Sequence, residues 1–146
     1  FAGTVSVSHE TLAAVSRDVA VSALAVGFTH VVMLGDHAET QGVIREAATA
    51  LDAEWRPKGG RVFFIPVYEE GEGRMRDILE ALDVPRNRMT PIDDASEVMA
   101  LDADRWLRPD QLPDEIAAVA SAELGRQFID GKVEVAVASI RELVGR

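Results

Sequence analysis

Two short, strongly strand-forming runs constrain this chain more than any other feature. Val31-Val32-Met33-Leu34 is closed by Gly35, and Val62-Phe63-Phe64-Ile65-Pro66-Val67 follows the break Arg56-Pro57-Lys58-Gly59-Gly60. Both runs are continuously apolar rather than alternating, the pattern of parallel strands covered on both faces. Pro66 has no amide to donate, so it belongs near the end or edge of its strand.

Between and around these runs the periodicity is helical. Residues 8–26 predict a helix, with Ser8 as N-cap, Glu10 in the first turn, Leu12, Val15, Val19 and Val26 at helical spacing, and Gly27 at its end. A second helix is expected over roughly 40–54, with Val43, Ile44, Ala47, Ala48 and Leu51 on one side. Residues 68–73 are acidic and glycine-containing and predict a loop, and 74–83 a short amphipathic helix. The stretch 84–114 holds four of the six prolines and predicts an irregular excursion with a short helix near 95–101. Residues 115–144 are helical by pattern, with a loosening at Asp130-Gly131.

Strand–helix alternation predicts an α/β protein, a layered α/β/α sandwich around a mostly parallel sheet. Two strands are too few for a self-sufficient parallel sheet, even with a third at residues 3–7. The sheet is therefore expected to be incomplete in this chain, and to be completed by another part of the protein or by a neighbouring subunit.

The chain has 146 residues, 47% of them hydrophobic but only 5% aromatic, so one domain over residues 1–146 is expected, with a core of Val, Leu, Ile and Ala. A formal charge of −10 argues against nucleic acid as a partner. No apolar run approaches the roughly 18 residues of a membrane span, so no membrane partner is expected. There is no cysteine, hence no disulfide and no thiolate chemistry. Phe1-Ala2-Gly3-Thr4 carries no initiator Met and no signal pattern, and reads like the interior of a longer chain. A cytoplasmic protein is expected, and a targeting segment upstream is compatible with that.

The strongest candidate site is Gly35-Asp36-His37-Ala38-Glu39-Thr40-Gln41, between the carboxyl end of the first strand and a helix, where open α/β sheets gather ligands. His37 and Glu39, two residues apart, can offer nitrogen and oxygen to zinc or manganese. On spacing alone, a helix cap with solvated neighbours is the preferred reading of the same residues. Bland readings are preferred elsewhere: a solvated acidic loop for Glu69, Glu70 and Glu72, packing for Tyr68 and Trp55, and structural roles for His9 and His30. Trp106 reads equally as a core anchor or as a cover over an active-site rim or subunit interface.

Four segments, in order, resemble the creatininase family. They are Phe1-Ala2-Gly3-Thr4-Val5-Ser6 with Glu10-Thr11-Leu12, then Gly27-Phe28 and the strand leading into Gly35-Asp36-His37, then Asp94-Ala95-Ser96-Glu97-Val98-Met99, and last Ala120-Ser121-Ala122-Glu123-Leu124-Gly125-Arg126. The resemblance implies a metal-dependent amidohydrolase of a non-peptide C–N bond, of the cyclic amide or formamide type, acting on a small-molecule amide and commonly a homo-oligomer. It places His37 and Glu39 on metal-ligand positions for zinc or manganese, and Asp36 in support of the loop. Two departures stand against it. The family's opening segment, with a Glu, a His and a bridging Asp as ligands, has no counterpart upstream of Phe1, so the metal site is expected to be incomplete in this chain. Met89-Thr90-Pro91 stands where the family carries His-Ala-Gly or His-Gly-Gly, the histidine serving proton transfer in some members. These departures open the alternative of a truncated or degenerate module serving binding or assembly.

Overall fold

The computed structural model describes residues 6–145. The elements run α1 (His9–Ala25), β1 (His30–Met33), α2 (Gln41–Trp55), β2 (Arg61–Phe64), α3 (Val67–Ala81), α4 (Arg86–Trp106), α5 (Asp114–Ala117) and α6 (Ala122–Val144), with single 3-10 turns at Ala38–Thr40, Arg56–Lys58 and Pro109–Gln111. The described part is mostly helical and carries one small parallel sheet, an architecture compatible with α/β. Two compact units divide it, one made of the chain up to Tyr68 with residues from Ala136 onward, the other of Glu69–Val135.

The first unit is built on the β1–α2–β2 crossover. β1 and β2 pair in parallel, with Val31 opposite Val62 and Met33 opposite Phe64. Those four side chains share one face, because successive residues of a strand point to opposite faces. They pack with Ala20 and Leu24 of α1 and with Ile44, Ala48 and Leu51 of α2 to form the core. Ser8 caps α1, its hydroxyl accepting from the Thr11 amide at 3.2 Å. α1 buries Ala20 and Leu24, while Val15 and Val19 remain 56% and 66% exposed. This helix is apolar on most of its circumference, so its periodicity does not choose a face; contact with α2 does.

The β2 run is shorter than its sequence suggests. It ends at Phe64, with Ile65 donating to the Met33 carbonyl at 3.0 Å before the chain turns at Pro66 into α3. Residues 1–5, and so most of the possible strand at 3–7, lie outside the described residues; Ser6 and Val7 are not in a strand. On the outer side of β2, the Val62 amide donates to the Asp52 carboxylate at 3.0 Å. Asp52 also receives Arg61 Nε at 2.9 Å and the Arg56 guanidinium. One outward amide of β2 is thereby satisfied by a buried carboxylate.

The second unit corrects three expectations. Residues 68–73 are helical, part of α3, where Glu69 and Glu70 are exposed and the half-buried Glu72 pairs with Arg76 at 3.1 Å. Residues 86–106 are helical instead of an irregular excursion, in two stretches that meet at a kink at Asp102. Pro91 deprives the Asn87 carbonyl of its helical donor but lies on the exposed side, where water replaces it. Regular geometry fails only at Asp102, with φ −165° and ψ 83°. α6 continues through Asp130-Gly131, because Gly131 is buried against Arg74, which also reaches Glu134 at 2.8 Å. Met75, Leu79, Val84, Met89, Ile92, Ala95, Ile116, Ala120 and Phe128 make the core of this unit. α4 and α6 touch at backbone distance: a Cβ on Gly125 would lie 1.9 Å from the Ser96 carbonyl oxygen.

Candidate functional site

β1 ends at Met33, and the chain then passes through Leu34-Gly35-Asp36-His37 into the 3-10 turn Ala38–Thr40 and directly into α2. The Asp36–Glu39 segment thus sits at the carboxyl end of a parallel strand and at the start of a helix, as its sequence position implies. Gly35 packs closely against α2, since a Cβ there would come within 2.8 Å of Ile44 Cδ1, the tip of that side chain.

The backbone of the turn folds inward onto side chains of the following residues. The His37 carbonyl accepts from the Thr40 amide at 3.2 Å, from Thr40 Oγ1 at 2.9 Å and from Gln41 Nε2 at 2.8 Å. Gln41 Nε2 also donates to the Gly35 carbonyl at 3.0 Å. Gln41 is only 4% exposed, and its Oε1 is buried without a partner. With the carbonyls turned in, Asp36, His37 and Glu39 are all exposed. Among the described residues no hydrogen bond or ion pair holds the His37 ring or the Glu39 carboxylate.

Chemically, the turn offers one imidazole nitrogen and one carboxylate to a cation, a fit in ligand type for zinc or manganese. It fills at most part of a coordination shell, and no group of three or more His, Asp or Glu side chains placed to hold a metal occurs among the described residues. The other histidines lie elsewhere. His9 begins α1, and His30 begins β1 at the end away from the turn, stacked on Phe63 with centroids 6.0 Å apart.

The remaining candidates pack or are solvated. Ser96 is fully buried, its hydroxyl accepting from the Ser121 amide at 3.3 Å, so the Asp94–Met99 and Ala120–Arg126 motifs meet as a helix–helix contact. Met89, in the Met89-Thr90-Pro91 stretch, is buried in the apolar core of the second unit, where it packs. Trp55 lies beneath the Lys58 ammonium, 4.5 Å from the ring centroid. Trp106 is exposed, with Arg105 over its ring. Gln41 is the residue that sequence reasoning passed over; a glutamine opening a helix four residues after a candidate ligand was the only signal.

A family model described as creatinine amidohydrolase matches residues 1–114, most of the chain. Neither a curated protein nor a solved structure gives a match. The matched region spans the β1 turn and the Asp94–Met99 motif of α4, and the chain belongs to the creatininase family.

Proposed function

We propose that this chain is part of a metal-dependent amidohydrolase that cleaves a non-peptide C–N bond in a small-molecule amide of the cyclic amide or formamide type. The observation that carries the reading is the turn after β1, where His37 and Glu39 stand exposed and unengaged on a backbone held from behind by Thr40 and Gln41. Membership of the creatininase family supports the amide substrate and the metal. In this reading His37 and Glu39 hold zinc or manganese and Asp36 supports the loop. Side chains outside this chain supply the remaining ligands, because two donors leave such an ion with most of its shell unfilled. A bound ion would supply a Lewis acid for the amide carbonyl and lower the pKa of water towards neutrality. The chain's own contribution is to present the imidazole and the carboxylate. In the same reading residues 1–146 belong to one creatininase-like domain, a layered α/β/α sandwich whose sheet is completed beyond β1 and β2, in a homo-oligomeric, cytoplasmic protein.

A second reading, a binding or assembly module without catalysis, is favoured by Met89 in the apolar core. Zinc titration of the chain beside His37→Ala and Glu39→Ala separates the two. The metal reading expects weak binding that either substitution abolishes, and amide hydrolysis once the remaining ligands are supplied. Zinc binding that is absent from the chain, or indifferent to both substitutions, removes the metal reading and leaves the module.

A further inference from the structure

We infer that Gln41 is the positioning residue of the His37–Glu39 turn, its buried carboxamide clamping the Gly35 and His37 carbonyls and so setting how the imidazole and carboxylate leave the backbone. The inference deepens the metal-site reading and rests on it for the word ligand, but not for the geometry.

Gln41 opens α2, where a polar side chain ordinarily lies in water. Here its own amide donates to the Ala38 carbonyl and its side chain turns back over the turn, with Nε2 donating to Gly35 O at 3.0 Å and to His37 O at 2.8 Å. These two bonds straddle Asp36 and His37. Thr40 Oγ1 reaches the His37 carbonyl, whereas Gln41 reaches the carbonyls at both ends of the segment. With three donors on one oxygen, the His37–Ala38 peptide plane has little freedom. That plane governs the His37 ψ and the Ala38 φ, and through them the path from the His37 Cβ to the Glu39 Cβ.

The orientation of the carboxamide is not arbitrary. Rotating it by half a turn would set Oε1 against two carbonyl oxygens, so the donor side must face the turn. Oε1 is then left buried with no donor, an arrangement that an apolar side chain of the same length would avoid. The two bonds to the turn are what Gln41 provides and methionine would not. Groups that orient a metal ligand without touching the metal typically govern affinity by about 10- to 100-fold.

The test uses the full chain, with carbonyl ¹³C NMR and Mn²⁺ titration on wild type and Gln41→Met. The expected result is an upfield shift of the Gly35 and His37 carbonyl signals, unchanged shifts over Ala47–Leu51, and broadening of the His37 ring only at roughly tenfold higher Mn²⁺. Unchanged Gly35 and His37 carbonyl signals in a folded Gln41→Met overturn the inference. If Mn²⁺ fails to broaden His37 in the wild type, the ligand reading fails, and the carbonyl signals still decide the clamp. Should Gln41→Met not fold, Gln41→Leu serves instead, and unchanged Gly35 and His37 carbonyl signals there overturn the clamp.

Discussion

At Asp52 a single carboxylate joins a helix to a strand edge. Burial pushes its pKa up, but the Val62 amide, Arg61 and Arg56 outweigh that and bring it from 3.8 down to about 2. The folded value lies below the unfolded one, so the stabilisation is complete above about pH 4 and is lost as pH falls towards 2. Asp52→Ala strands the buried Val62 amide and should cost about 2–3 kcal/mol in urea denaturation at pH 7. It should also flatten the dependence of stability on pH in that acid window. Arg56 and Arg61 reach water once released, which keeps the loss below that of a fully buried pair. By contrast, the Arg17–Glu54 bridge at 2.6 Å joins α1 to α2 on the surface, where solvent and salt leave such a pair little net effect.

Two elements show how packing chooses among faces that composition leaves open. In α1, Leu24→Ala should destabilise by about 2–4 kcal/mol, because it hollows the core shared with α2 and the sheet. Val19→Ala, on the exposed side, should fall within about 0.5 kcal/mol; equal losses in a chemical melt would mean that α1 packs by its other face. In the second unit, the contact between α4 and α6 depends on glycine. Gly125→Ala would force the helices apart at Ser96 and should cost about 3 kcal/mol or more, seen as a large drop in the thermal midpoint. The Ala120–Arg126 motif is therefore explained by close helix approach, whatever else it does in relatives.

Across the whole molecule, each of the two units carries its own apolar core. The Gly35–Gln41 turn belongs to the first, and Met89 belongs to the second. Met89→His would set an imidazole among Met75, Leu79, Val84 and Ile92 with no polar partner in that cluster. It should cost about 2–3 kcal/mol at pH 8 by desolvation and lost packing. The loss should grow as pH falls below about 6.5, since burial opposes protonation in the folded state while the unfolded chain takes the proton. Denaturation at pH 8 and pH 5.5 measures both parts. A tolerated histidine would show a site with access to water, and would weaken the reading of Met89 as a packing residue. Among the described residues no helix is long and apolar enough to cross a membrane.

What was legible in the chain follows the reach of local physics. The Ser8 cap, the β-branched runs at Val31 and Val62, the glycine punctuation at 27, 35 and 59–60 and the apolar side of α2 are short-range signals, and the elements they announce formed where expected. So did the placing of His37 and Glu39 just beyond a strand, because strand, turn and helix follow one another without a long connection. The helical span 86–106 was hidden by Pro91, whose cost is local while the burial of Met89, Ile92, Ala95 and Ser96 that offsets it is not. The first turns of α3 and the continuity of α6 at Gly131 were hidden because glycine lowers helix propensity, whereas the close contacts at Gly71 and Gly125 leave little room for a Cβ. The clamp at Gln41 and the bond from the Val62 amide to Asp52 depend on where a side chain turns once its neighbours are in place. Sequence alone determined which residues could ligate a metal and roughly where they stand along the chain. Tertiary structure decided which backbone atoms hold them there and which faces are buried, because those outcomes come from contacts between segments that sequence spacing does not encode.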